Sequence, residues 1–256
     1  MRYNPFRPNN IVGPGMFVGR LDELHTVEQC LFQTKHGNPQ HFLIEGERGI
    51  GKSSLLFITE HIARGTIPAT RDNNNMKFLT ISVDMGRVTS QIDIVRIIAR
   101  QFKASMSERE ALKQSAKAVW EFLSRWEVLG VRYYGEEEPD PEDARDELTN
   151  QIVDLLAGPN CEIEGIFIVI DEADRPGEDA RLGEFLKLFT ERLTRRDCNS
   201  VLIGLAGLPT TIAKLRASHE SSPRLLEVMR LEPLTLDERK AGSSTRISRS
   251  GRKEWV

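Results

Sequence analysis

The fold of this 256-residue chain can be read outward from one stretch, Gly46-Glu47-Arg48-Gly49-Ile50-Gly51-Lys52-Ser53-Ser54. The stretch fits the phosphate-binding loop (P-loop) pattern G-x-x-x-x-G-K-S/T. Its glycines let backbone N–H groups approach phosphate oxygens, Lys52 reaches the β- and γ-phosphates, and the Ser53 hydroxyl ligates Mg²⁺. The pattern therefore predicts that all nine residues surround the phosphates of a bound nucleotide, with ATP and Mg²⁺ as the cofactors.

The residues on either side of the loop support this interpretation. His41-Phe42-Leu43-Ile44-Glu45 predicts a short buried strand that enters the loop, and residues 52–63 predict the helix that leaves it. A strand–loop–helix context distinguishes a working P-loop from a chance match. A glycine-rich turn before an ordinary helix is therefore the weaker alternative.

Apolar segments along the rest of the chain alternate between strand and helix patterns. Together with 41–45, we expect strands at 77–84, 163–170, 201–206 and 228–231, and helices at 21–33, 52–63, 92–102, 107–126, 142–156, 180–195 and 209–218. Such alternation predicts an α/β fold of the P-loop NTPase class, with a parallel five-stranded sheet flanked by helices. Residues 17–237 form the predicted domain, between an extended arm at 1–16 and a disordered basic tail at 238–256, and 106–160 is predicted to be a helical insertion outside the core.

Composition narrows the classes of function. The net charge of −3 argues against a protein that binds nucleic acid over its whole surface. No apolar stretch reaches the length of a membrane span and no signal peptide is evident, so we expect a cytoplasmic protein without a membrane partner. The three cysteines are too widely spaced to predict a metal site or a disulfide framework.

A second acidic motif follows the most apolar predicted strand. Asp171 ends that strand, where it can complete the Mg²⁺ shell, and the adjacent Glu172 can polarise the attacking water. Asp174 either supports this site or caps the next helix. Asp171 lies 119 residues after Lys52, a separation that predicts an extra strand between the two motif strands.

Four motifs together resemble one known family. Residues 17–24 match F-x-G-R-x-x-E-L, and this match is followed by the P-loop, by Ile170-Asp171-Glu172-Ala173-Asp174 and by Arg230-Leu231-Glu232-Pro233-Leu234. The combination is similar to AAA+ and STAND-like P-loop ATPases of the origin-recognition type, over about residues 10–237 outside the insertion.

The resemblance implies roles for individual residues. Val18 and Gly19 would lie near the adenine, Lys52 and Ser53 on phosphate and Mg²⁺, and Asp171 and Glu172 in metal binding and hydrolysis. Arg224 would sense the γ-phosphate across a subunit interface, with Arg230 as the second choice; a surface salt bridge is the equal alternative for Arg224.

Two features depart from the family pattern. The strand at 201–206 leads into Gly207-Leu208-Pro209 where a polar sensor is expected, so Thr210 and Thr211 are the nearest hydroxyls. A helical lid should follow residue 234, yet residues 240–256 lack apolar periodicity, so the lid is expected to be largely missing. The basic residues of this tail either contact nucleic acid or belong to an unstructured end.

These observations favour a Mg²⁺-dependent ATPase that hydrolyses ATP to ADP and phosphate to drive or switch a partner complex. The partner is another protein or a second copy of the chain, and DNA is weakly supported as a partner. The alternative is a nucleotide-controlled regulatory or DNA-associated interaction module with little or no hydrolysis. A kinase ranks third, because nothing in the sequence marks an acceptor site.

Overall fold

The computed structural model describes residues 19–69, 75–86, 88–108, 112, 140–158 and 161–235. The predictions for the arm at 1–16, for Val18, for most of the helix at 107–126 and for the tail at 238–256 lie outside these described residues.

One sheet of five strands, all parallel, forms the centre of the molecule. The strands are β1 His41–Glu45, β2 Phe78–Asp84, β3 Gly165–Asp171, β4 Val201–Gly207 and β5 Leu226–Arg230. Their order is β2-β3-β4-β1-β5. The predicted fold class is confirmed, and β4 is the expected extra strand between the two motif strands β1 and β3.

Helices cover both faces of this sheet. The helices described are α1 Leu21–Lys35, α2 Lys52–Ala63, α3 Gln91–Ser107, α4 Pro141–Ala157, α5 Leu182–Arg195 and α6 Thr211–Ser218. Two short 3₁₀ helices lie at Glu178–Ala180 and Ser222–Leu225. None of the helices in the described ranges is long and apolar enough to cross a membrane.

The apolar core has two parts, one on each face of the sheet. Side chains of α1 and α2, including Val27, Leu31 and Leu55, pack on one face. Side chains of α3 to α6 pack on the other face. β1, β3 and β4 are covered on both sides, which explains why their sequences are nearly continuous apolar runs.

The expectation that residues 106–160 lie outside the core is wrong for helix α4. Ala144, Leu148, Ile152 and Leu155 are buried in the same cluster as α3 and α5. These four residues recur at helical spacing, so they form one apolar stripe, and the charged side chains on the other faces of α4 obscured it. At one of those faces, Arg192 of α5 pairs with Glu142 and Asp146.

The register of the strands brings the important loops together. Glu45 at the end of β1 pairs with Gly207 at the end of β4, and Asp84 at the end of β2 pairs with Asp171 at the end of β3. Because all strands run in the same direction, the loops that follow β1, β2, β3 and β4 emerge at one edge.

If α4 belongs to the core, shortening one of its buried side chains will destabilise the whole domain. Leu148→Ala should lower the free energy of unfolding by about 2–5 kcal/mol, because it removes a fully buried side chain. Asp154→Ala, at an exposed position of the same helix, should change it by less than about 0.5 kcal/mol. Urea unfolding of the two variants measures both values; equal, small effects would show that α4 folds independently of the core.

Candidate nucleotide-binding site

The P-loop connects β1 to α2 at the carboxyl edge of the sheet. Gly49 and Gly51 have φ angles of +77° and +110°, which side-chain-bearing residues rarely adopt. At Gly46 a Cβ would lie 2.8 Å from the Ile50 side chain. Glu47 and Arg48 are exposed on the loop, whereas Ser54 is buried in the first turn of α2. The first N–H groups of a helix have no partners within it, so this loop offers donors to an anion.

Lys52 is folded over its own loop. Its Nζ donates to the carbonyl oxygens of Gly46 at 2.7 Å and of Glu47 at 2.9 Å. Burial lowers the pKa of Lys52, and the nearby Asp171 and Asp174 oppose this shift. The two bonds hold the ammonium group beside the loop amides.

Ser53 and Asp171 join the P-loop to the end of β3. The Ser53 hydroxyl donates to Asp171 Oδ2 at 2.6 Å, and Asp171 Oδ1 accepts from the Glu172 N–H at 2.8 Å. Within the described ranges, no group of three or more His, Cys, Asp or Glu residues could hold a metal ion. The hydroxyl and carboxylate fit Mg²⁺, which often binds through one or two protein oxygens and completes its shell with water and phosphate oxygens.

Glu172 lies beside this pair in a strained conformation. Its φ angle is +54°, uncommon for a residue other than glycine, and its carboxylate forms an ion pair with Arg175 at 2.6 Å. Burial, followed by repulsion from Asp84, raises the pKa of Glu172, and Arg175 opposes the shift. A carboxylate with a raised pKa is a stronger base than an ordinary one, as activation of water requires.

Asp84 is a member of the site that the sequence analysis missed. It ends β2 in register with Asp171, and its Oδ1 accepts from the Gly86 N–H at 2.7 Å. Gly86 makes room for the cluster, since a Cβ there would lie 3.0 Å from Arg175 and 3.1 Å from Asp84. The sequence carried one signal for Asp84: it is an acidic residue at the end of a predicted strand.

Arg20 was also missed as an individual residue, although the resemblance included it. The residue is only 7% exposed, and its Nη2 donates to the carbonyls of Ile50 at 3.3 Å and Glu232 at 2.5 Å. Its Nη1 pairs with Glu23 at 3.1 Å. Arg20 thus ties the start of α1 and the segment after β5 to the P-loop. The adjacent Gly19, predicted to lie near the adenine, has a φ angle of +76°.

The end of β4 is consistent with the expected lack of a polar sensor. The buried Thr211 uses its hydroxyl to donate to the Leu208 carbonyl at 2.7 Å, and Thr210 is exposed. Asp174 accepts from the Leu208 N–H at 3.1 Å, so it links β3 to β4. Its alternative role as a cap for the next helix is wrong, because α5 begins after Arg181.

The two candidate arginines lie at opposite edges of the sheet. Arg230 ends β5 beside the P-loop, 3.7 Å from the buried Glu45. Arg224 lies in the 3₁₀ helix that precedes β5, at the amino edge. The structure therefore brings Lys52, Ser53 and Asp171 together with Glu172, and places Arg224 away from the P-loop of its own chain.

The profile of the AAA ATPase domain family matches residues 16–203. The chain belongs to this family. Together with the P-loop, membership makes it an ATP-binding protein of the AAA+ type. Its sequence is 25% identical over 248 residues to an uncharacterized HTH-type transcriptional regulator of Methanocaldococcus jannaschii, across 93% of this chain and 55% of the relative.

Several solved structures share the fold of this AAA ATPase domain. Cdc6p of Pyrobaculum aerophilum superposes with a TM-score of 0.57 at 14% identity, over 94% of this chain and 52% of that one. The ADP form of the Aeropyrum pernix ORC2 protein gives 0.58 at 15% identity, over 93% and 54%. The A. pernix ORC1 protein in complex with DNA gives 0.50 at 18%, over 91% and 50%. The chain thus spans about half the length of the proteins it matches.

The contribution of Asp84 can be measured directly. Asp84→Asn removes a negative charge beside Glu172, so the pKa of Glu172 should fall toward its ordinary value. Titration of the side-chain carboxyl carbons by NMR measures this pKa. Asp22→Asn, on the exposed start of α1, is the control and should leave it unchanged. If the two variants give the same Glu172 pKa as the parent, the repulsion from Asp84 is absent.

Proposed function

We propose that this AAA ATPase domain is a cytoplasmic Mg²⁺-dependent ATPase that hydrolyses ATP to ADP and phosphate to drive or switch a partner complex. The contact between Ser53 and Asp171 is the observation that carries the proposal. This contact joins Ser53, the residue after the P-loop lysine, to the end of β3, and Glu172 directly follows that strand. Phosphate-binding and water-activating groups thereby share one edge of the sheet.

In this proposal each group of the site has a separate task. The loop from Gly46 to Ser54 holds the phosphates, with Lys52 as the cation. Ser53 and Asp171 would hold Mg²⁺, which supplies positive charge to the phosphate oxygens when bound. Val18 and Gly19 flank the adenine.

Glu172 acts on the attacking water in this mechanism. Its carboxylate orients the water for in-line attack on the γ-phosphate and accepts a proton from it. The raised pKa of Glu172 suits this role. Arg175 forms an ion pair with Oε1 of Glu172. This ion pair fixes the direction of the Glu172 carboxylate before nucleotide binds.

The assigned roles separate binding from hydrolysis. Lys52→Ala should weaken ATP binding about 10–100-fold, since it removes a charged hydrogen bond to phosphate. Glu172→Gln should bind ATP normally and lower kcat about 10²–10⁴-fold. Calorimetry measures the first effect and steady-state phosphate release the second. Undiminished turnover in Glu172→Gln would contradict the proposed role of Glu172 in activating the attacking water.

A nucleotide-controlled, DNA-associated module with little hydrolysis is the second candidate. The absence of a polar side chain at the end of β4, where Gly207 stands, favours it. The similar regulator from M. jannaschii and the DNA complex of the ORC1 protein point to DNA. Phosphate release measured with and without duplex DNA at low salt separates the two candidates. Under this second candidate, Glu172→Gln changes nothing because the parent protein is already inactive.

We assign Arg224 to the γ-phosphate site of a neighbouring copy, because it lies away from its own P-loop. Arg224→Ala should therefore be inactive alone but regain turnover when mixed with Glu172→Gln, which supplies an intact arginine. Arg216→Ala, at an exposed position of α6, should remain active alone. Phosphate release from the mixtures is the measurement. An Arg224→Ala protein with full activity would contradict the assignment.

A further inference from the structure

Residues 207–212, which we call the β4–α6 turn, are held from two sides by carboxylates of other strands. Glu45, the last residue of β1, is only 2% exposed, and its Oε1 accepts from the Ile212 N–H at 3.1 Å. Asp174 follows the end of β3, and its Oδ1 accepts from the Leu208 N–H at 3.1 Å. One short turn is therefore bonded both to the strand that enters the P-loop and to the loop after β3.

The turn is rigid between these two bonds. Thr211 is fully buried, and its N–H and its hydroxyl both donate to the Leu208 carbonyl, at 2.9 Å and 2.7 Å. The Thr211 side chain also fills the space beside Gly207, where a Cβ would lie 2.2 Å from Thr211 Oγ1. The N–H groups of Leu208 and Ile212 are thus kept at a fixed separation.

The main chain connects the same segments. The Gly46 N–H donates to the Gly207 carbonyl at 3.3 Å, and the Ala173 N–H donates to the Ala206 carbonyl at 2.9 Å. The end of β4 therefore contacts the first residue of the P-loop on one side and the residue directly after Glu172 on the other. A displacement of the turn would change the distance between the P-loop and Glu172.

The burial of the Glu45 carboxylate calls for an explanation, because a buried carboxylate costs free energy unless hydrogen bonds compensate it. Arg230 is 77% exposed, and its Nε lies 3.7 Å from Oε2, which is beyond hydrogen-bond length. The Ile212 N–H is therefore the contact that directs the Glu45 side chain. An apolar residue of similar volume would serve packing alone. A role in holding the turn accounts for an acid at this position.

We propose that Glu45 and Asp174 are positioning residues that use the β4–α6 turn as a bracket between the P-loop and Glu172. The bracket sets the distance between the phosphate-binding and water-activating groups, so this inference rests on the proposed ATPase function. Each acid acts through a backbone N–H of the turn rather than by touching nucleotide. The end of β4 then contributes through its backbone, and a polar side chain at Gly207 is not required.

Amide hydrogen exchange, followed by NMR on the full chain, tests the bracket without turnover. Glu45→Ala should speed exchange about tenfold at its own partner, Ile212, and also at Leu208, the partner of Asp174. Asp174→Ala should produce the same two effects. Asp140→Ala, which removes an acid that accepts from an N–H at the start of α4, is the control and should change neither amide. Faster exchange only at the partner of the removed acid overturns the proposal.

Steady-state kinetics test the effect on the reaction. Glu45→Ala and Asp174→Ala should each lower kcat about 10–100-fold through misplacement of Glu172, with ATP affinity close to that of the parent. The double variant should be no slower than either single variant, because the second change acts on a turn that is already released. Glu45→Gln keeps an oxygen acceptor for the Ile212 N–H and should restore most of kcat. Losses that multiply in the double variant, or a Glu45→Gln as slow as Glu45→Ala, contradict the bracket.

Gly207→Asn separates the bracket from a missing sensor. The new side chain should displace Thr211 and lower kcat, whereas it should raise kcat if the end of β4 merely lacks a polar group. Gly177→Asn is the matched control, since an added Cβ there has nothing within 4 Å, and kcat should not change. A parent protein without turnover would refute the proposed ATPase function, and the exchange measurement would still decide whether the turn is a bracket.

Discussion

The parallel register between neighbouring strands is the constraint on which the candidate site depends. Hydrogen bonds continue the ladder beyond the ends of the strands: Gly46 N–H donates to Gly207 at 3.3 Å, and Ala173 N–H donates to Ala206 at 2.9 Å. Leu231 N–H likewise donates to Glu45 at 2.8 Å. The loops after β1, β3 and β5 are therefore tied to adjacent strands. A shift of one residue in this register would separate Ser53 from Asp171 and turn alternate side chains to the opposite face.

The carboxylates at this edge have different environments, and the differences separate their roles. Asp84, Asp171 and Asp174 each accept a hydrogen bond from a backbone N–H. For Glu172, burial and repulsion from Asp84 raise the pKa, and the exposed cation of Arg175 opposes this shift without cancelling it. A site in which the surroundings raise the pKa of one carboxylate can divide its acidic groups into a metal ligand and a base. These environments support the roles proposed above, with Asp171 as the ligand and Glu172 as the base.

The sequence was sufficient for features that depend on local pattern and insufficient for those that depend on distant contacts. The P-loop, the five strands and the start of α2 follow from residues close together in the chain, and the structure confirms them. Asp84 joins the site only through its pairing with Asp171, and Arg20 only through carbonyls at positions 50 and 232. The burial of α4 depends on its packing against α3 and α5, and the charged residues on its other faces obscured the apolar stripe that makes this packing. The roles of Val18, Arg224 and Glu172 stay predictions, since they concern ligands and partners.

Arg20 connects the P-loop to two segments of the fold, the start of α1 and the segment after β5. One buried guanidinium bonds both to Ile50 inside the P-loop and to Glu232 after β5, while its backbone precedes α1. A movement of the loop at Ile50 must therefore stretch these bonds or displace Glu232. Because charged hydrogen bonds of buried groups are costly to break, displacement of Glu232 costs less free energy than loss of these bonds. The segment after β5 is thus linked to the P-loop through Arg20.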